Sequence, residues 1–213
     1  MHLDDANALI AILNKNNNLY DDDSISNSYI NWDGSAAWTN CSTFATILLK
    51  HTYGWTDGDF SFWWQSTSPS AAKYHDLIQA GNRFTQIFDR DQIQAGDFIA
   101  IKYPAGGSST GHLMMVAGDI TARTASNPVV AGTTQYEVPV IDSSSSYHGT
   151  TDTRHPTQGG GGEGIGKGVF RIYVDANNQN QIVGYTWSTA NGTYYDQSAP
   201  AATLRHLMVG RLQ

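Results

Sequence analysis

Apolar residues recur at helical spacing at the start of the chain. Leu3, Leu9, Ile10 and Leu13 fall on one face of a segment from Asp4 to Lys15, with Asp4 or Asp5 placed to cap it. Residues 16–40 lose that period. An Asn run, Asp21-Asp22-Asp23, scattered Ser and Trp32-Asp33-Gly34 predict a loop. Cys41 to Thr52 predicts a second helix with Phe44, Ile47 and Leu48 inward, stopped by Tyr53-Gly54. Ser70 to Ala80 predicts a third, closed by Gly81. From there the period shortens to that of strands. Phe98 to Ile101 follows a Gly96-Asp97 turn, Leu113 to Ala117 is a short apolar run, and Tyr136 to Ile141 alternates. Val169 to Val174 and Ile182 to Trp187 flank a hairpin loop at Asp175-Ala176-Asn177-Asn178, and Leu204 to Leu212 predicts a last strand.

Helices first and strands after favour an α+β fold, N-terminal helices packed on an antiparallel sheet, over a parallel βαβ array. The 213 residues fit one domain, 1–213. The polar, Gly-rich stretch 143–168 is long for a connection without structure, and such loops are usually functional or mobile.

Composition narrows the function. Hydrophobic residues make up 40% and aromatics 11%, enough for a core. Twelve Lys and Arg stand against 19 Asp and Glu, a formal charge of −7, which argues against a nucleic-acid partner. The low share of charged residues, 15%, points outside the cytoplasm. No apolar run is long enough to span a bilayer. Met1 to Asp5 lacks the basic start and apolar stretch of a secretion signal, so the chain is expected to stay inside, to leave by another route, or to have lost a signal. With one cysteine, an intrachain disulfide and a four-cysteine zinc site are excluded.

Two motif matches fail on their chemistry. Gly161 to Lys167 has the glycines and lysine of a phosphate-binding loop, but Gly168 stands where magnesium binding needs Ser or Thr, and a strand follows. Asp175, Asn177 and Gln179 open like a calcium loop, yet its twelfth position is Thr186. No His-Glu-x-x-His pair exists, and no metal or cofactor is expected.

Cys41 carries the most information. It opens an apolar helix, where free N–H groups and the helix dipole favour the thiolate. Most lone cysteines are small buried hydrophobes, so the case rests on partners. A cysteine nucleophile needs a base held by a third polar group. His112 begins the strand after Thr110-Gly111, and Asp142 ends the next one. An isolated strand-end Asp ordinarily bonds its own backbone and can be lost without harm to the fold. Successive antiparallel strands would instead bring Asp142 beside His112. Tyr147-His148-Gly149 and Asp152-Thr153-Arg154-His155 form a polar cluster that reads first as a solvated loop. Its alternatives are His148 as a second orienter and Arg154 as a bidentate site for a substrate carboxylate. Trp55, Trp63 and Trp64 read first as packing and second as walls of a sugar-peptide cleft. His51 and His75, on helices, read as structural or exposed.

These residues resemble the NlpC-type papain-like cysteine peptidases and the related CHAP amidases. Asn40-Cys41-Ser42-Thr43-Phe44 is similar to the family's Asp-Cys-Ser-Gly nucleophile motif, with Asn40 and Thr43 as departures. Ile93 to Ala100 resembles its Leu-x-Pro-Gly-Asp turn, and Gly111 to Val116 its base strand. Tyr29 and Trp32-Asp33-Gly34 lie where it often has an aromatic before Gly-Gly. The likeness covers roughly residues 29–145, leaving 118–135 and 143–168 as insertions. It implies a papain-like α+β fold with Cys41 as nucleophile, His112 as base, Asp142 where the family commonly has His or Asn, and Tyr29 as a second oxyanion donor beside the Cys41 N–H. It implies cleavage of peptide amides in bacterial peptidoglycan, outside the cell or at the envelope after delivery, with an immunity or inhibitor protein as a further partner. A cysteine acyltransferase, a non-wall peptidase on the same fold, and an inactive peptide- or glycan-binding module are the alternatives.

Overall fold

The computed structural model describes residues 1–21, 27–178 and 180–213. Its helices are α1 (His2–Ile12), α2 (Cys41–Tyr53), α3 (Asp57–Trp64) and α4 (Ala71–Gln79). Three short strands, β1 (Asn18–Tyr20), β2 (Tyr29–Ile30) and β3 (Ala37–Thr39), form a small sheet with β3 in the middle. The remaining strands are β4 (Phe84–Ile87), β5 (Phe98–Lys102), β6 (Gly111–Val116), β7 (Thr121–Ala122), β8 (Thr133–Ser144), β9 (Gly164–Asp175), β10 (Ile182–Thr186), β11 (Tyr195–Asp196) and β12 (His206–Leu212). They build one large sheet in the order β11-β10-β9-β8-β6-β5-β12-β4, with β7 alongside β8. Every pairing in it is antiparallel. The fold is therefore α+β, as the order of periods predicts.

Both faces of the central strands are buried, which is why β5 and β6 read as apolar runs without alternation. Phe98, Ala100, Leu113 and Met115 pack against α2 and α4 through Phe44, Leu48 and Tyr74. Ile99, Ile101, Met114 and Val116 face Val140, Phe170, Tyr185 and Val209, all from strands of the same sheet. The sheet thus curls over on itself. An isolated bridge, Asp89 to Gln181, and the bond from Arg90 N–H to Asn180 O (2.8 Å) join the β4 edge to the start of β10. That closure removes exposed backbone from part of both edges.

Several expectations are corrected. α1 runs from His2 to Ile12, and its N-cap is Met1 rather than Asp4 or Asp5. Asp4 lies in the first turn, where its carboxylate takes the Met1 ammonium. The helix stops before Lys15 because Leu13 turns extended and Asn14 N–H bonds Gly34 O at 2.8 Å. Residues 16–40 are not wholly loop, since β1, β2 and β3 lie there, each too short to show a period. α3 was not predicted. Its signal is a reciprocal cap, in which Thr56 Oγ1 accepts from Asp59 N–H and Asp59 accepts from Thr56 N–H. Trp64 and Phe60 then enter the core beside Trp55 and Trp63, so these tryptophans are packing residues. β4 and β11 also had no predicted counterpart. Asp22 and Asp23 of the acidic run, and Gln179 of the calcium-like stretch, lie outside the described residues. Asp175 to Asn178 connect β9 and β10 as a hairpin, as expected. Among the described residues no helix is long and apolar enough to cross a membrane.

One glycine sets the approach of β6 to β5. Gly111 has φ +155°, and a Cβ there would run into the carbonyl oxygen of Ile101 on β5. It directly precedes His112, which pairs with Ile101 across the ladder. Gly111→Ala is expected to lower unfolding stability by about 2 kcal/mol, read from the urea midpoint. An unchanged midpoint would contradict this account of the strand approach.

Candidate active site

The start of α2 is built by its own cap. Asn40 Oδ1 accepts from the N–H groups of Ser42 (3.2 Å) and Thr43 (2.9 Å), and Thr43 Oγ1 accepts from Asn40 N–H at 2.9 Å. The two departures from the resembled motif, Asn40 and Thr43, are thus the two halves of one capping box. Cys41 is the first residue of the helix and 6% exposed. The chain reaches it from β3, whose Thr39 carbonyl accepts from Ser143 Oγ at 2.7 Å. That bond ties the entry of α2 to the residue after Asp142.

β6 and β8 are antiparallel neighbours, with Met115 opposite Ile141 and Val116 opposite Val140. His112 and Asp142 lie further along this pair. His112 Nε2 donates to Asp142 Oδ2 at 2.5 Å. The ring's other interaction is with the Cys41 sulfur. Trp187 meets the imidazole edge-on, 5.3 Å between ring centroids. Burial opposes charge on His112, but its interactions with Cys41 and Asp142 outweigh it and push its pKa up to about 10.

Asp142 is fully buried. Its Oδ2 also accepts from His148 Nε2 at 2.9 Å. Arg154 Nη1 lies 2.8 Å from Oδ1 in an ion pair whose N–H does not point squarely at the oxygen. His148 Nδ1 donates to Trp187 O at 2.5 Å, so both nitrogens of that ring face acceptors. Asp152 closes the network from behind. It accepts from Arg154 Nε (2.9 Å) and Nη2 (2.7 Å) and from the backbone N–H groups of His148 and Arg154. Burial would raise the Asp142 carboxyl, yet Arg154, His148 and His112 hold it well below the ordinary value. Burial likewise works against the Arg154 charge, which Asp142 and Asp152 stabilise beyond the usual range.

His112, Asp142 and His148 form a group whose ligand atoms lie within 4.8 Å of one another. They fit a hydrogen-bonded cluster better than a cation site. Both nitrogens are directed at the same carboxylate oxygen, and a guanidinium already faces the other. His112 opens onto a cleft of about 330 Å³, with Tyr20, Tyr103, Ser109, Tyr147 and Trp187 among its walls.

The structure brings together Cys41, His112, Asp142, His148 and Arg154. Tyr29 sits 44% exposed on the small sheet opposite Trp38 and is not among the residues lining the cleft. The polar stretch 147–155 is not simply a solvated loop, because His148, Asp152 and Arg154 are buried. Arg154 is 2% exposed with its fork filled by Asp152, which corrects its assignment to a substrate carboxylate. His148 supports Asp142 instead of replacing it. Asp142, in turn, is no peripheral strand-end residue. Asp152, Tyr103 and Trp187 were missed, and only the Asp-x-Arg spacing of 152–154 hinted at the first. His206 bonds His75 at 2.9 Å, and His51 stacks on Trp32, both away from Cys41.

No family model matches the chain, and no solved structure matches it. It is 32% identical over 182 residues to an uncharacterized protein, R653, of Acanthamoeba polyphaga mimivirus, a match spanning 82% of this chain and 77% of the viral protein.

Two measurements follow from the charges. Since the His112 pKa is raised from 6.5 to about 10, its contribution to stability is complete below pH 6.5 and lost as pH rises through 10. Nitrogen-15 NMR is expected to show His112 doubly protonated at pH 8, and Cys41→Ala to lower its pKa by removing the sulfur's interaction with the ring; a neutral ring at pH 8 would refute this. Asp142→Ala leaves Arg154 and two imidazoles without their shared anion and is expected to cost about 3–5 kcal/mol in chemical denaturation. Asp142→Asn, which keeps an acceptor but not the charge, should fall between it and wild type. A near-silent Asp142→Ala would show that the network does not support the fold.

Proposed function

The chain belongs to one family with the mimivirus protein R653, and we propose that it is a cysteine-nucleophile amide hydrolase with a papain-like arrangement of helix and sheet. The observation that carries the reading is the line from Cys41 through the buried His112 imidazole to Asp142. A binding module has no need of a buried, ion-paired imidazole beside its lone thiol at a helix start. The peptide stems of bacterial cell wall are the substrate class that the motifs at 40–44, 93–100 and 111–116 resemble, with action at the bacterial envelope.

The chemistry is acyl transfer. The Cys41 thiolate attacks the amide carbonyl, and the carbonyl π electrons move to oxygen. The N–H groups of Ser42 and Thr43 are taken by Asn40, so the Cys41 N–H remains to face the oxyanion. His112 gives its proton to the departing amine as the C–N bond breaks, leaving a thioester on Cys41. The neutral imidazole then takes a proton from water. The resulting hydroxide adds to the thioester carbonyl, and the thiolate leaves with the carboxylic acid released. Asp142 accepts from Nε2 throughout and stabilises the imidazolium when it forms.

Purified peptidoglycan digested with wild type is expected to yield new amine and carboxyl ends on its stem peptides by mass analysis. Cys41→Ala should yield none, and His112→Ala should lose about 100- to 10,000-fold in rate. His206→Ala, in the other His-Leu-Met sequence, should leave the rate unchanged. Release of no fragments by folded wild type would sink the cell-wall reading.

A further inference from the structure

His148 has a bonding pattern that a neutral imidazole cannot meet. Its Nε2 lies 2.9 Å from Asp142 Oδ2, and its Nδ1 lies 2.5 Å from the Trp187 carbonyl oxygen. Both partners are acceptors, and a neutral ring carries one N–H. With the proton on Nε2, a lone pair on Nδ1 would face the carbonyl. With the proton on Nδ1, a lone pair on Nε2 would face the carboxylate. The residue is 5% exposed, so water relieves neither contact. Burial favours a protonated Asp142, which would supply the missing hydrogen, yet Arg154, foremost among its neighbours, holds that carboxyl well below the ordinary value. His155 gives the contrast, since its Nδ1 accepts from Thr157 N–H, as a ring without a proton there must.

Charge balance leads to the same state by a separate route. The ionisable groups around His148 are Asp142 on β8, Asp152 and Arg154 in the stretch that follows it, and His112 on β6, 6.4 Å away between ring centroids. β9 packs on it through Gly168, which brings no charge. Cys41 and His112 add no net charge while they hold one proton between them. The two enclosed carboxylates then meet a single guanidinium, and a second cation is needed to neutralise the group. His148 stands where that cation is required. The extra proton holds a wall of the cleft. Trp187 directly follows β10, lines the cleft and meets the His112 imidazole edge-on, and its carbonyl is bonded to His148.

We propose that His148 is a positioning residue that works as an imidazolium, tethering the Trp187 wall of the cleft to Asp142 through its two N–H groups. Loss of either proton releases one end of the tether. Its bearing on turnover rests on the hydrolase reading, whereas the charge and the tether do not. The first test is nitrogen-15 NMR of the wild-type histidine rings at pH 7.5, with the His148 signals assigned by their loss in His148→Gln. Both His148 nitrogens are expected in the protonated range, with His155 as the neutral reference. The second is fluorine NMR of protein labelled with 5-fluorotryptophan, the Trp187 signal being assigned by Trp187→Phe. Gln offers Asp142 an N–H but cannot set a second donor on the opposite side for the Trp187 carbonyl. His148→Gln is therefore expected to shift the Trp187 signal and leave those of Trp55, Trp63 and Trp64 in place. A wild-type His148 with one protonated nitrogen, or a Trp187 signal indifferent to His148→Gln, would overturn the proposal. Should that variant not fold, the wild-type nitrogen shifts decide alone, with the His148 signals assigned through the backbone. Both expected results, in a protein that releases no fragments from peptidoglycan, would support the tether and count against the hydrolase reading instead.

Discussion

A carboxylate with no access to water governs the candidate active site of this molecule. Asp142 is wholly enclosed at the end of β8, where an uncompensated charge would cost several kcal/mol. Two imidazoles and one guanidinium surround it, and Asp152 holds that guanidinium in turn. Each group is buried because the others are. The stretch from His148 to Arg154 is consequently fixed by ion pairs in place of an apolar face. Its fixed position lets His148 also anchor Trp187 through a backbone carbonyl, and so place one wall of the cleft.

The sheet serves this arrangement by register. β6 and β8 must pair as they do for His112 and Asp142 to meet, and a slip by one residue would turn one of them to the opposite face. Two features oppose a slip. Both faces of these strands are buried, so either displacement exposes apolar side chains. Gly111 lets β6 lie against the Ile101 carbonyl at the position before the histidine. On the other side, the Ser143 to Thr39 bond links β8 to the strand that delivers Cys41. Three separate segments are thereby brought to one point by hydrogen bonds that are themselves out of water.

Much of this was legible in the sequence, and the boundary of legibility is physical. Cys41 at a helix start, His112 after a glycine at a strand start and Asp142 at a strand end are all marked by changes of period, and these three meet. The helix over 41–53 and the central strands are long enough, or apolar enough, to announce themselves. β1, β2 and β3 are two or three residues long and carry no period. α3 puts Phe60 and Trp64 inward but leaves Phe62 in solvent, so its pattern resembles an aromatic loop. The error over Arg154 has a different origin. A charged residue in a Gly-rich polar stretch reads as solvated, because composition does not show that Asp142 and Asp152 converge on it.

The central claim is that the Cys41 sulfur and the His112 imidazole interact directly inside the folded protein. The most direct measurement is the rate of iodoacetamide modification of Cys41 at pH 6, compared between native wild type, native His112→Ala and urea-unfolded wild type. The account predicts that the native thiol reacts about tenfold faster than the unfolded one, and that His112→Ala loses the excess. A native thiol slower than the unfolded one, or indifferent to His112, would contradict it.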